Sequence, residues 1–106
     1  MDALDALLDK DGYLRDHTAW NEALAVAIAA RDGLALTPAH WEILHALRRF
    51  YARYELSPAT RPLLKYLAQE LGPEKATSLY VMQLFPGTPA KTIARLAGLP
   101  KPPNCI

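Results

Sequence analysis

The stretch TPAHWEILHALRRFYARYEL, residues 37–56, decides the fold. Thr37 followed by Pro38 is a favoured helix opening. A hydroxyl caps the first free N–H groups, and proline takes the first helical position, where its missing N–H costs nothing. Trp41, Leu44, Leu47 (or Arg48) and Tyr51 then recur at the spacing of one helical face, and Ile43, Ala46 and Phe50 widen it. So broad an apolar face on a helix of about 17 residues must be covered from more than one side. The stretch predicts a central helix with others laid around it.

Toward the C-terminus, SPATRPLLKYLAQELG (57–72) offers two helix starts, Ser57-Pro58 and Thr60 ahead of Arg61-Pro62. A proline in a helix interior costs about 3 kcal/mol, so the helix is predicted to begin near Thr60 with Pro62 in its first turn. Leu63, Leu64, Leu67 and Leu71 then face inward, and Gly72 stops the helix. PEKATSLYVMQLF (73–85) predicts one further helix ended by Pro86-Gly87, and TPAKTIARLAG (88–98) repeats the Thr-Pro start and the glycine stop.

Toward the N-terminus, Asp16 reads as the cap of a helix through HTAWNEALAVAIAARDG (17–33), with Trp20, Leu24, Ala27, Ile28 and Arg31 on one face. In LLDKDGYLRD (7–16), Asp11-Gly12 is a hairpin-turn signal that pairs Leu7 and Leu8 with Tyr13 and Leu14. A helical turn over residues 2–8 is the alternative. Beyond Gly98, Pro100, Pro102 and Pro103 lack backbone donors and favour extended geometry. The expected architecture is mostly α (α+β). A single helical domain of about five helices (1–98), with a small N-terminal β-hairpin, is followed by a mobile C-terminal arm (99–106) carrying Cys105. Seven extended steps from Gly98 carry Cys105 roughly 22 Å.

The chain has 106 residues, 51% hydrophobic and 22% charged, a composition suited to one globular domain. One cysteine excludes an internal disulfide and a multi-cysteine zinc site. No apolar run is long enough to span a bilayer and no signal peptide is evident, so the expected setting is cytoplasmic, without membrane contact. The net charge of +1 hides an asymmetry. Residues 1–47 hold three basic side chains against eight acidic ones, and residues 48–106 hold nine against three. Such a split suits an acidic partner, or two plainly solvated faces.

Four stretches, DGYLRDHTAWNEALA, LTPAHWEILHALRRFYARY, LGPEKATSLYVMQLFP and PAKTIARLAGLPKPPNCI, resemble in order the DsrC/TusE family of small sulfur-relay proteins. The sharpest part is Gly98-Leu99-Pro100-Lys101-Pro102 with Cys105 penultimate. The resemblance implies a helical domain with an N-terminal hairpin and an arm whose penultimate cysteine carries sulfur as a persulfide between partner proteins. It also implies that the dissimilatory branch carries a second arm cysteine at the position held here by Ala94. This departure favours the TusE-like branch, which relays sulfur toward tRNA 2-thiouridine. The implied partners are a sulfur-donor complex and an acceptor, such as a tRNA thiolation enzyme with its tRNA. The alternatives are an accessory gamma-type subunit of sulfite reductase and a helix-turn-helix DNA-binding regulator.

Cys105 is accordingly the candidate for the chemistry. The reactive species is the thiolate. Lys101 lowers its pKa and the Ile106 carboxylate raises it, which leaves a modest nucleophile for a partner to activate. Lys91, Arg95 and Lys101 near the arm's root, with Ile106 as an apolar tip, are the candidate partner contacts. Arg48, Arg49, Arg53, Arg61 and Lys65 form a basic band across two helices, with Glu55 the single acid between them along the sequence. Contact with a partner protein or a tRNA complex is the first reading, a solvated face the second and DNA the third. His17, His40 and His45 stand without a Cys or Asp cluster and read as capping or surface residues. No metal or cofactor is expected. Trp20, Trp41, Tyr51, Tyr54, Tyr66, Tyr80 and Phe85 read as core.

Overall fold

The computed structural model describes residues 3–103. It contains six α-helices: α1 (Ala3–Leu7), α2 (Glu22–Arg31), α3 (Pro38–Tyr54), α4 (Thr60–Leu71), α5 (Ser78–Leu84) and α6 (Pro89–Leu96), with 3-10 turns at His17–Ala19 and Pro73–Lys75. The central helix α3 packs against α4 and α6, and α6 also meets α2 and α4. Ile43, Leu44 and Leu47 of α3 are buried with Ile28 of α2, Leu63 and Leu67 of α4, and Ile93 and Leu96 of α6. Each such side chain contributes about 1.5–3 kcal/mol on leaving water. The layer around α3 is therefore the source of the fold's stability.

Helix α3 starts where Thr37-Pro38 places it, and His40 completes the cap. His40 Nδ1 accepts the Thr37 N–H at 3.0 Å and lies 2.8 Å from the Thr37 hydroxyl. The proton is then on Nε2, which donates to the Leu84 carbonyl at the end of α5 at 2.8 Å. The buried ring ties the start of α3 to the end of α5. In α4, Pro62 falls in the first turn, where backbone N–H groups have no helical partner. Helices α2 and α6 end alike. Leu34 N–H donates to Ala29 O and Leu99 N–H to Ala94 O, each past a left-handed glycine, Gly33 at φ 68° and Gly98 at φ 73°.

Three sequence expectations are corrected. No β-hairpin forms: among the described residues there are no strands, only one antiparallel bridge between Leu8 and Leu14. Residues 3–15 contain no β-branched side chain, and Ala-Leu-Asp-Ala-Leu is strong helix-forming sequence, so residues 3–7 coil as α1. Asp9 then builds a tight turn, its Oδ1 accepting the N–H groups of Asp11 and Tyr13. Asp16 caps only the 3-10 turn, and α2 begins afresh at Asn21, whose Oδ1 accepts the Leu24 N–H at 2.8 Å. Likewise, residues 73–85 are not one helix. Pro73–Lys75 is a 3-10 turn, and Thr77 caps α5 separately through Tyr80 N–H.

Candidate functional site

The root of the C-terminal segment is fastened to the body by three side chains from distant parts of the chain. Trp20 Nε1 donates to Leu96 O at 2.8 Å. Arg48 donates to Ala97 O at 2.8 Å and to His17 O at 3.3 Å, and its guanidinium lies 4.3 Å from the Trp20 ring centroid. The hydroxyl of the buried Ser57 donates to Pro100 O. The last carbonyls of a helix have no partner within it, and a buried carbonyl left unmatched is costly. Here the body supplies those partners. Partial burial pushes the pKa of the Arg48 guanidinium below its ordinary value.

Close approach fits the same joint. A Cβ on Gly98 would stand 2.4 Å from Trp20 Cδ1, so only glycine lets the indole lie over the turn. Leu99 is buried and so is Pro102, while Pro100, Lys101 and Pro103 are exposed. Residues that the sequence reading assigned to the arm are thus fixed on the body as far as Pro102. Cys105 and Ile106 lie outside the described residues.

Lys91, Arg95 and Lys101 come together on the wall of one polar cleft of about 400 Å³, with Asp11, Thr88 and Thr92. Arg95 is engaged, donating to Asp32 at 2.9 Å. The basic band is divided. Arg48 is the clamp just described. Arg49 pairs with Glu70 of α4 at 3.3 Å, an acid that linear sequence did not place beside it. The Arg53 guanidinium lies 5.3 Å from the Tyr54 ring centroid, and Arg61 and Lys65 stand exposed on α4. Tyr54, expected in the core, is also exposed. His45 Nε2 meets Glu22 at 2.9 Å and the His17 ring lies against Tyr51, whereas His40 is the buried cap. Among the described residues, no cluster of His, Cys, Asp and Glu has metal-site geometry, and no helix is long and apolar enough to cross a membrane.

Sequence reasoning missed Trp20 and Ser57 as clamp residues and misplaced Arg48. The available signal was the break between Asp16 and Asn21, two capping residues five apart. It takes Trp20 out of the helix.

These features define a one-domain helical protein that holds the root of a cysteine-bearing C-terminal segment in a fixed place. The chain belongs to the DsrC family: the family model described as "DsrC like protein" matches residues 2–106. Among curated relatives, "Sulfurtransferase TusE" of Pectobacterium atrosepticum is 51% identical over 98 residues, covering 92% of this chain and 90% of that protein. "Sulfurtransferase TusE" of Escherichia coli K12 is 47% identical over the same length and shares. The NMR structure of Allochromatium vinosum DsrC superposes with a TM-score of 0.85 at 43% identity, covering 93% of this chain and 88% of that one. The oxidised gamma-subunit of the dissimilatory sulfite reductase (DsrC) from Archaeoglobus fulgidus gives 0.79 at 38% identity, with 93% and 90% covered.

Proposed function

We propose that this protein is a sulfur carrier that receives and hands on sulfane sulfur as a persulfide on Cys105, in a relay toward tRNA thiolation. The observation that carries this reading is the 51% identity, over 92% of the chain, to a protein named as a sulfurtransferase of the TusE type. The chemistry needs one thiolate. It attacks the outer sulfur of a donor persulfide, the donor's S–S bond breaks, the donor thiolate leaves, and the sulfane sulfur stays on Cys105 with no net oxidation. The reverse sequence passes it to the acceptor.

The body's part is to fix where the thiol starts. With Leu99 and Pro102 buried and Pro100 O held by Ser57, the segment is held on the body as far as Pro102. The three steps from Pro102 to Cys105 span at most about 11 Å, so the working reach is shorter than that of a free arm rooted at Gly98. A donor or acceptor must therefore approach the body closely, and Lys91 and Lys101 beside the exit suit an acidic one. The partners are a sulfur-donor protein and a sulfur-acceptor protein, in the cytoplasm. The sulfite-reductase reading fits less well, because position 94 is a buried alanine where the two-cysteine branch would carry its second thiol. DNA binding through the basic band also fits less well, because Arg48 and Arg49 are engaged within the body.

The test is the mass of the intact protein after incubation with a cysteine desulfurase and free cysteine. The expected result is a gain of one sulfur, lost on reduction and absent from Cys105→Ser. A wild-type protein that gains none from the desulfurase or from inorganic polysulfide overturns the reading.

A further inference from the structure

We infer that the polar cleft between the Asp9 turn and α6 is a binding site for a small tetrahedral oxyanion of sulfur or phosphorus. This goes beyond the carrier reading and does not depend on Cys105. Three observations converge there. Lys91 and Lys101 line the cleft from two separate segments, α6 and the anchored root, and neither has a carboxylate partner among the described residues. Thr92 is 8% exposed and lines the same cleft, yet its hydroxyl makes no hydrogen bond to another described residue. The side chain is largely enclosed but its unmatched hydroxyl stays accessible, so a ligand or water can complete its bonding from the cleft. Thr88 adds a second hydroxyl one helical turn away, at the start of α6.

The chemistry selects the ligand. Two ammonium groups, with Arg95 behind them, outweigh the single Asp11 carboxylate on the wall. Arg95 itself is paired with Asp32, so its charge is largely offset and the two lysines carry the site's net positive charge. Lysines bind as point charges with rotatable donors, and threonine hydroxyls donate to whatever acceptor is presented. That set suits a compact, multiply charged ion with acceptors in every direction. The cleft, at about 400 Å³, admits such an ion with part of its water shell.

The experiment uses full-length Cys105→Ser protein, so that the result is separate from persulfide chemistry. Sodium sulfate, thiosulfate and phosphate are titrated in turn at constant ionic strength made up with chloride, following backbone amide NMR shifts. The expected result is saturable shifts centred on residues 87–92 and Lys101. Thiosulfate and sulfate saturating below phosphate would assign the site to sulfur oxyanions, and the reverse order to phosphate. Lys91→Gln and Thr92→Val should each weaken binding by up to about tenfold, the loss of one charge-assisted hydrogen bond. Arg53→Gln, far from the cleft, should not change it. Linear shifts equal to those in chloride alone overturn the inference, and so does saturable binding that both cleft variants leave unchanged.

Discussion

The two ends of the described chain are fastened to the body by opposite means. Residues 3–15 make their turn with local bonds, Asp9 accepting two N–H groups and a bridge closing Leu8 on Leu14, and rest on the core through the apolar side chains of Leu8, Tyr13 and Leu14. Residues 96–100 are held by donors from far away in sequence: Trp20, Arg48 and Ser57, each matched to a separate carbonyl. A local turn re-forms wherever its few residues meet. A segment whose carbonyls are held from three distant parts of the chain stays in place only while the whole domain is folded. The position of residues 96–100 is therefore a property of the entire body, whereas the hydrogen bonds of the N-terminal turn are local to it.

The sharpest way to break that contrast is at the two glycines that end α2 and α6. Gly98→Ala should cost about 2–4 kcal/mol, because a left-handed backbone and a rigid indole oppose the same methyl group. Gly33→Ala, at a similar φ with nothing within 4 Å, should cost only about 1 kcal/mol. Urea unfolding of the pair measures the difference, and equal losses would show that Trp20 yields. Next comes Trp20→Phe, which keeps most of the ring but strips the donor from Leu96 O. A loss of about 1–3 kcal/mol is expected in the same assay. Arg48→Met keeps the side chain's length and loses its donors. It should cost about 1–2 kcal/mol in urea and speed alkylation of Cys105 in native protein, since the root is loosened before the body unfolds.

On the local side the effects shrink. Asp9→Ala removes the two turn bonds at a partly exposed site and should cost under about 1 kcal/mol, with alkylation of Cys105 unchanged. Smallest is the acid response of Asp16. Hydrogen bonds from the Thr18 side chain and N–H hold its carboxyl below the ordinary 3.8. Its contribution is present above about pH 4 and is lost as pH falls through the lower folded value. Asp16→Asn should flatten the acid limb of a stability–pH curve only slightly, because the group is exposed to solvent.

What the sequence made legible follows the same division. Helices α3, α4 and α6 have periodic faces and Thr-Pro or early-proline starts, which are local signals, and they form close to where they were expected. The misreadings came where two local signals competed. Asp11-Gly12 spoke for a hairpin, but the leucines and alanines before it speak for helix, and no β-branched residue supports a strand. Asp16 and Asn21 are both good caps, and Trp20 between them leaves the helix to reach Leu96 O. At the site, the joining of Lys91, Arg95 and Lys101 was legible because all three lie within one short C-terminal stretch. Arg48 was not legible. An arginine on a helix beside another arginine looks like surface charge until the partner, a carbonyl 49 residues away, is in place.

The ring of His40 also bears on the order in which the molecule comes apart. Helix α5 has seven residues, of which only Val81 is buried, and Leu79 and Met82 face solvent. Phe85, just past its end, and the His40 bond to Leu84 O are its main fixings. Amide hydrogen exchange should therefore find a unit of low opening free energy over residues 78–85, well below that of α3, α4 and α6. Native-state exchange would see this segment lift while the clamp at Gly98 stays shut. In that partly open form the bonds to Leu96 O, Ala97 O and Pro100 O would persist, so this opening is separated from the joint that holds the root of the C-terminal segment.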